Sequence, residues 1–263
     1  MKRSSIATGI ASAILLFVVI ATIVFGSTGW TPSREIRPLA KFYLENCFNV
    51  FNKTWWTASP EVVTSMLWDY RGIDTYYETS VFFLAVIGAT ALFRVAEAKL
   101  KTKPKEPGLS LIVKTVTKLI FPLIIVVATS IALRGELTPG GGFQAGSILA
   151  IVPLLLMAAF SRHYIEENIK LTRNKCLALI GIGLIAIVTV IATPLIAGAA
   201  LMQNQAKPWS PFFSYPEAVG PLHTSGTLFF LDVAEFITVG AGFTLLFLLL
   251  SIPEEEFKRL MRL

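Results

Sequence analysis

The chain alternates between apolar runs of membrane-spanning length and short polar connections, and that alternation limits its fold more than any other feature. About six such runs stand out, at residues 6–25, 79–96, 112–133, 143–160, 176–202 and 227–251. Some 20 apolar residues in a helix cover the ~30 Å of a bilayer's hydrocarbon. In lipid every backbone N–H and C=O must find a partner inside the protein, and a continuous apolar run does so as a helix. The composition agrees, with 15% charged and 54% hydrophobic residues, where a soluble domain carries about 25% charged residues. The expected fold is all-α, a polytopic membrane protein with about six transmembrane helices.

The connections add orientation. The first run, Ile6 to Phe25, follows Lys2 and Arg3; a secretory signal has a shorter apolar core of about 7–15 residues, so the run reads as a retained helix. Lys2, Arg3, Lys99, Lys101, Lys103, Lys105, Arg162, Lys170, Arg173, Lys175, Lys258, Arg259 and Arg262 fall on the side of the N-terminus. Arg34, Arg37, Lys41, Lys53, Arg71, Arg134 and Lys207 fall on the other, most of them in one long loop. The positive-inside rule then puts both termini in the cytoplasm of a multi-pass protein of the cell (inner) membrane. The net charge of +6 is topology information and not a nucleic-acid surface. Cys47 and Cys176 fall on opposite sides of the membrane and are not expected to pair.

Residues 27–77 form the longest polar region and hold Trp30, Trp55, Trp56 and Trp68 with Tyr43, Tyr70, Tyr76 and Tyr77, rings suited to headgroup level. Ser59-Pro60-Glu61 reads as a helix start with Ser59 as N-cap, opening a short helix to about Tyr70 along the interface. Asn52-Lys53-Thr54 is a glycosylation sequon, a weak signal. Lys99 to Gly108, with its like charges and prolines, is the most linker-like piece and divides 1–105 from 106–263. Arg162 to Lys175 reads as a charged loop, Gln203 to Ser225 as polar and aromatic, and Glu254 to Leu263 as an amphipathic surface helix. Pro122 and Thr193-Pro194 interrupt two of the runs.

Ionisable side chains inside apolar runs carry the candidate chemistry. Asp232 and Glu235 are three apart and share a helix face. One reading is a carboxylate reaching the headgroups; the other is a proton or sodium relay, or a polar contact to a neighbouring subunit. Lys118 lies one turn deeper than Lys114 on one face, where snorkelling and proton shuttling both fit. Asp74 and Glu78 stand where the second run begins; they read as helix capping, with Asp74 the N-cap, or as the mouth of an ion path with Arg71 compensating. His163 and His223 sit in different loops and build no metal site. No cofactor motif and no nucleophile–base arrangement is present in the sequence, so no cofactor is expected in this chain.

Two stretches carry a family resemblance. Arg134-Gly135-Glu136-Leu137-Thr138-Pro139-Gly140-Gly141-Gly142-Phe143-Gln144-Ala145-Gly146 closely resembles the signature turn of the B subunit of Mrp-type sodium/proton antiporters. Pro122-Leu123-Ile124, Gly226-Thr227 and Asp232-Val233 fit the same plan, over residues 110–252. Glu136, often histidine in the family, Ala145, usually glycine, and Glu235, usually apolar, depart from it. Trp68-Asp69-Tyr70-Arg71-Gly72-Ile73-Asp74-Thr75 with Glu78, Val81 and Gly88 resembles the C-terminal end of the large A subunit, over residues 40–95. The A-type piece joined directly to a B-type piece is similar to the membrane arms of membrane-bound hydrogenases and sulfane sulfur reductase. The resemblance implies a non-enzymatic, non-redox transport subunit that docks other Mrp-like membrane subunits in the lipid bilayer. It also implies exchange of Na+ for H+, with redox centres on other chains. Asp74, Glu78, Lys118, Asp232 and Glu235 are the candidate ion pathway. Pro139, Gly140, Gly141, Gly142, Phe143 and Gln144 form a close-packing turn beside its outer mouth. A free-standing multisubunit antiporter and a purely structural membrane scaffold are the alternatives.

Overall fold

The computed structural model describes residues 3–25, 35–98 and 108–252. The chain divides into two compact units, Met1–Phe42 and Tyr43–Leu263. In the first unit, α1 (Arg3–Phe25) is helical over the whole of the expected first run. The linker at 99–107 and the expected tail helix at 254–263 lie outside the described residues.

Past α2 (Pro38–Asn46), the second unit is built on five long helices: α4 (Gly72–Ala98), α5 (Leu111–Ala132), α6 (Gly142–Ala159), α8 (Arg173–Ile196) and α9 (Leu228–Leu250). Each contains a stretch long and apolar enough to cross a membrane. The last helix is the centre. In its most apolar stretch 61% of residues are buried, against 11% for α5, which presents most of its surface outward. Side-chain proximity fixes the directions. Positions that would clash with Gly146 lie at Phe236, Val239 and Gly240, and Gly240 in turn faces Leu149, so α6 and α9 run parallel. Thr79 meets Glu235 and Phe82 meets Gly242, so α4 runs parallel to them. Gly183 of α8 packs against Ala234 and Thr238, with Ile187 and Ile191 clustered with Leu228 and Leu231 and Cys176 and Ile180 with Leu245 and Leu249, so α8 is antiparallel to α9. Helix α5 returns beside α6, with Leu109 N–H donating to Ala159 C=O. The starts of α4, α6 and α9 therefore gather at one end of the bundle, called here the turn end.

Two apolar clusters fill the bundle. Trp68, Ile187, Ile191, Leu228, Leu231 and Ala234 pack at the turn end. Phe83, Val86, Leu156, Ile165, Cys176, Leu245 and Leu249 pack at the other. Cys47 and Cys176 are both buried and free.

Local chemistry explains where the structure departs from the expectations. The second long helix starts at Gly72 and not near Thr79, so Asp74 lies inside its first turn and is not its N-cap. Ser59 is not a cap either: α3 (Val62–Ser65) is capped by Glu61, whose carboxylate accepts from Thr64 N–H, and α3 runs on into a π-turn at Met66–Tyr70. One face of the piece is buried in the bundle, with Trp68 in the turn-end cluster. The charged loop contains α7 (Arg162–Tyr164), capped by Ser161, and a π-turn at Ile165–Ile169. The fifth long run stops at Ile196, two residues past Pro194. A proline has no N–H to give to the carbonyl four residues earlier, and Tyr215 Oη donates to that carbonyl, of Val190, at 2.9 Å. This bond lays the segment between α8 and α9 back on the bundle. That segment carries a small hairpin of β1 (Ala218–Val219) and β2 (Leu222–His223).

At Gly183 any side chain would press on Thr238 and on Ala234 C=O. Gly183→Val should wedge α8 from α9, destabilising by about 1–3 kcal/mol, read as a lower thermal unfolding midpoint of the purified protein in detergent; an unchanged midpoint would show that the two helices do not meet there.

Candidate functional site

The site lies at the turn end, where three segments converge on the first two turns of α9. The Pro139–Gly142 turn uses glycine because Gly141 has φ +144°, a backbone conformation L side chains rarely adopt. Its N-cap position offers no side chain to the amides that begin α6. A helix start leaves such N–H groups unpaired, and here α9 supplies the acceptors. Gly142 N–H donates to Asp232 Oδ1 at 3.2 Å and Phe143 N–H donates to Glu235 Oε2 at 3.0 Å. Close approach requires glycine at 142, since a Cβ there would overlap the Asp232 carbonyl and Glu235 Cβ.

The remaining lone pairs are served from the segment before α4 and from α4 itself. Trp68 Nε1 donates to Asp232 Oδ1 at 3.1 Å, and Thr79 Oγ1 donates to Glu235 Oε1 at 3.2 Å. Thr75 Oγ1 donates to Leu67 C=O at 2.6 Å, which fixes Trp68's segment on α4. Asp232 and Glu235 are 1% and 5% exposed, so neither reaches the headgroups alone as a free surface charge. A cavity of about 190 Å³ opens beside them, lined by both carboxylates, Glu78, Thr64, Thr75 and Gln144. Glu78 faces outward from this chain, and a wider groove of about 790 Å³ runs from it past Asp74 and Arg71. Arg71 Nε donates to Asp74 Oδ2 at 2.7 Å.

Thus Glu78, Asp232 and Glu235 line one cavity, with Asp74 one turn outside it. Lys118 does not join them. Its ammonium lies 5.6 Å from the centre of the Phe160 ring, at the opposite end of α5 and α6, next to Lys114 at 5.8 Å. His163 contacts Glu167 and His223 contacts Ser225, each within its own loop.

Two buried acids were not singled out for a role in the sequence. Glu136, just before the turn, is fully inaccessible. Burial pushes its carboxyl above the ordinary value, with its own backbone N–H and then Arg134 pulling the other way. Asp69, in the Trp68 segment, pairs with Lys207 at 3.6 Å, and Lys207 also donates to Trp56 C=O at 2.6 Å. Burial outweighs that ammonium and holds the Asp69 carboxyl at about 6. The signal for Glu136 was present, as a departure from the family pattern; Asp69 and Lys207 are too far apart in sequence to be paired by spacing.

Two measurements follow from this geometry. Asp232→Ala strands Gly142 N–H and Trp68 Nε1–H, each at a cost of about 1–3 kcal/mol, and should lower the unfolding midpoint; an unchanged midpoint would show the cap is dispensable. The folded Asp69 carboxyl, at about 6, lies above its ordinary 3.8, so the native state holds the extra proton between those values. The stability contributed by this group is therefore highest below that window, falls as pH rises through it, and is constant above it. Asp69→Asn should flatten the pH dependence of the unfolding midpoint there, and parallel curves would exclude Asp69 as the titrating group.

Comparison with known proteins identifies the lineage. Residues 112–245 match the model of a domain related to the MnhB subunit of Na+/H+ antiporters. A putative antiporter subunit mnhB2 of Staphylococcus haemolyticus is 28% identical over 123 residues, spanning 46% of this chain and 82% of that protein. Among solved structures, a chain of an archaeal membrane-bound sulfane sulfur reductase superposes with TM-score 0.62 at 22% identity, over 94% of this chain and 100% of that one. A chain of the Mrp complex from Dietzia sp. DQ12-45-1b superposes with TM-score 0.57 at 20% identity, over 93% of this chain and 26% of that longer one. At these identities the structural likeness is one of fold. The Gly142–Asp232 and Phe143–Glu235 contacts lie wholly inside the matched region, and this chain belongs to the MnhB-related family as an antiporter-like membrane subunit.

Proposed function

We propose that this chain is a non-redox subunit of an Mrp-type Na+/H+ antiporter module, docked among other Mrp-like membrane subunits. In this reading its A-type segment, residues 40–95, and its B-type segment, residues 110–252, are the pieces of an antiporter rejoined in the membrane arm of a respiratory complex. That complex is of the membrane-bound hydrogenase or sulfane sulfur reductase type, with its catalytic centres on other chains. The turn end faces outward and both termini face the cytoplasm.

The observation that carries the reading is the convergence of Glu78, Asp232 and Glu235 on one cavity, which shares Glu78 and Thr75 as lining with the Asp74 groove. A carboxylate in an apolar run is costly unless neutralised, paired or wet. A passing Na+ or H+ supplies that neutralisation, and the Thr64 and Thr75 hydroxyls and Gln144 amide offer polar contacts along the way. Lys118 belongs to the proposal as a charged group at the opposite face, above Phe160. A scaffold role is favoured by one specific fact: both oxygens of Glu235 already accept structural hydrogen bonds.

Amide substitution separates the two. Glu235→Gln keeps an acceptor for Phe143 N–H and can donate to Thr79 Oγ1, so the fold survives while the charge is lost. Glu78→Gln removes a charge that has no partner among the described residues. In the assembled complex in vesicles, each should lower Na+/H+ exchange at least ~10-fold, equivalent to about 1.4 kcal/mol on the barrier. Unchanged exchange with intact assembly would leave the chain a scaffold.

A further inference from the structure

Three acidic side chains are buried within reach of one another at the turn end, and the hydrogen-bond donors are divided unequally among them. Glu235 receives Phe143 N–H and shares the single Thr79 hydroxyl proton with Thr75 C=O, at 3.2 Å against 2.9 Å. Asp232 receives two, both on Oδ1, from Gly142 N–H and Trp68 Nε1–H. Glu136 receives none from any other described residue: Oε1 and Oε2 are both buried and without such a partner, and only its own backbone N–H acts on the carboxyl. Its backbone, by contrast, is held firmly, its C=O accepting from Ser59 Oγ at 2.6 Å and from Glu61 N–H at 3.4 Å. The side chain therefore hangs from a fixed backbone where no other residue's donor reaches it.

The surroundings make that deficit sharper. Asp232 Oδ2 is the other unpartnered buried carboxylate oxygen in the cluster, and Glu136 and Asp232 are close enough to repel one another. Gly135 stands beside that oxygen, where a Cβ would come within 2.5 Å of it. The charged groups acting on Glu136 are Arg134 on its own segment, which is exposed, and Asp232 on α9. Glu61, on the segment that covers it, has its carboxylate engaged by Thr64 N–H. A buried carboxylate with no donors and a like charge nearby is far more costly than the neutral acid. A carboxylate at a helix N-terminus that accepts two hydrogen bonds is the opposite case.

We propose that Glu136 is a proton-binding site of this cluster, standing as the neutral carboxylic acid beside the donor-held carboxyls of Asp232 and Glu235 at the start of α6. The ligand is a single proton, taken from or returned to water as the O–H bond of the Glu136 carboxyl forms or breaks. Only the use of that proton in exchange rests on the proposed function; its presence rests on the donor count.

Infrared difference spectroscopy of the purified parent complex, alkaline minus neutral pH, tests it. The wild type should lose a protonated-carboxyl C=O band as pH rises. Glu136→Gln should lack that band from the outset, while Glu235→Gln and Glu78→Gln keep it. A wild-type band still present in Glu136→Gln, or one removed by Glu235→Gln, overturns the assignment. Should Glu136→Gln not assemble, Glu136→Asp must shift the midpoint of the band's pH titration, and an unmoved midpoint overturns it equally. A band whose loss follows added Na+ at fixed pH, and not pH itself, would make the bound charge a metal cation and also refute the proposal. The exchange measurements on Glu78 and Glu235 can fail without altering this result, so the two readings fall separately.

Discussion

Two backbone amides at the start of one helix, and two carboxylates on another, hold the turn end of this protein together. Helix α6 begins in a glycine turn with no side chain to cap it. Its N–H groups are satisfied across space by Asp232 and Glu235 of α9. The arrangement solves two problems at once. The helix obtains acceptors that lipid cannot provide, and the carboxylates obtain donors and the positive end of a helix dipole where water is scarce. The parallel course of α6 and α9, which the intervening span α8 allows, brings their first turns to the same level.

The same contact ties the family motifs to each other. The glycine turn and the Asp232-Val233 pair are some ninety positions apart in the chain, yet Gly142 N–H and Asp232 Oδ1 are bonded at 3.2 Å. Trp68, from the segment before α4, adds a donor to that oxygen. That segment and the matched region 112–245 therefore share one polar centre. Gly226, with φ +69° and Asn204 pressed against it, starts the turn that leads into α9. Asn204 also takes Thr227 N–H and gives to Thr57 C=O, so the same side chain aligns the start of α9 with the segment that carries Trp68.

Much of the bundle was legible in the sequence because hydropathy over a span is a sum, insensitive to single partners. The limits of α5, α6 and α9 agree with the expected runs to within about a residue or two. The start of α4 was not legible, since Asp74, Thr75 and Glu78 look like a loop until Arg71 and Glu235 are placed beside them. The pairing of Asp232 and Glu235 on one face was readable from their spacing; that they cap α6 was not, because no local rule links residues so distant. Glu136 escaped for a related reason. An acid in a turn is normally solvated, and its burial depends on the cover provided by Ser59 and Glu61. The Asp69–Lys207 pair belongs to the same class.

A cap supplied from another helix also has a place in time. Ribosomes deliver the chain from its N-terminus, so α5, the glycine turn and α6 are made well before α9 (Leu228–Leu250). Until that last span arrives, Gly142 and Phe143 carry unanswered amides and α8 has no centre against which to pack. The α5–α6 hairpin therefore gains acceptors for the amides of Gly142 and Phe143 only once Asp232 and Glu235 of α9 are in place.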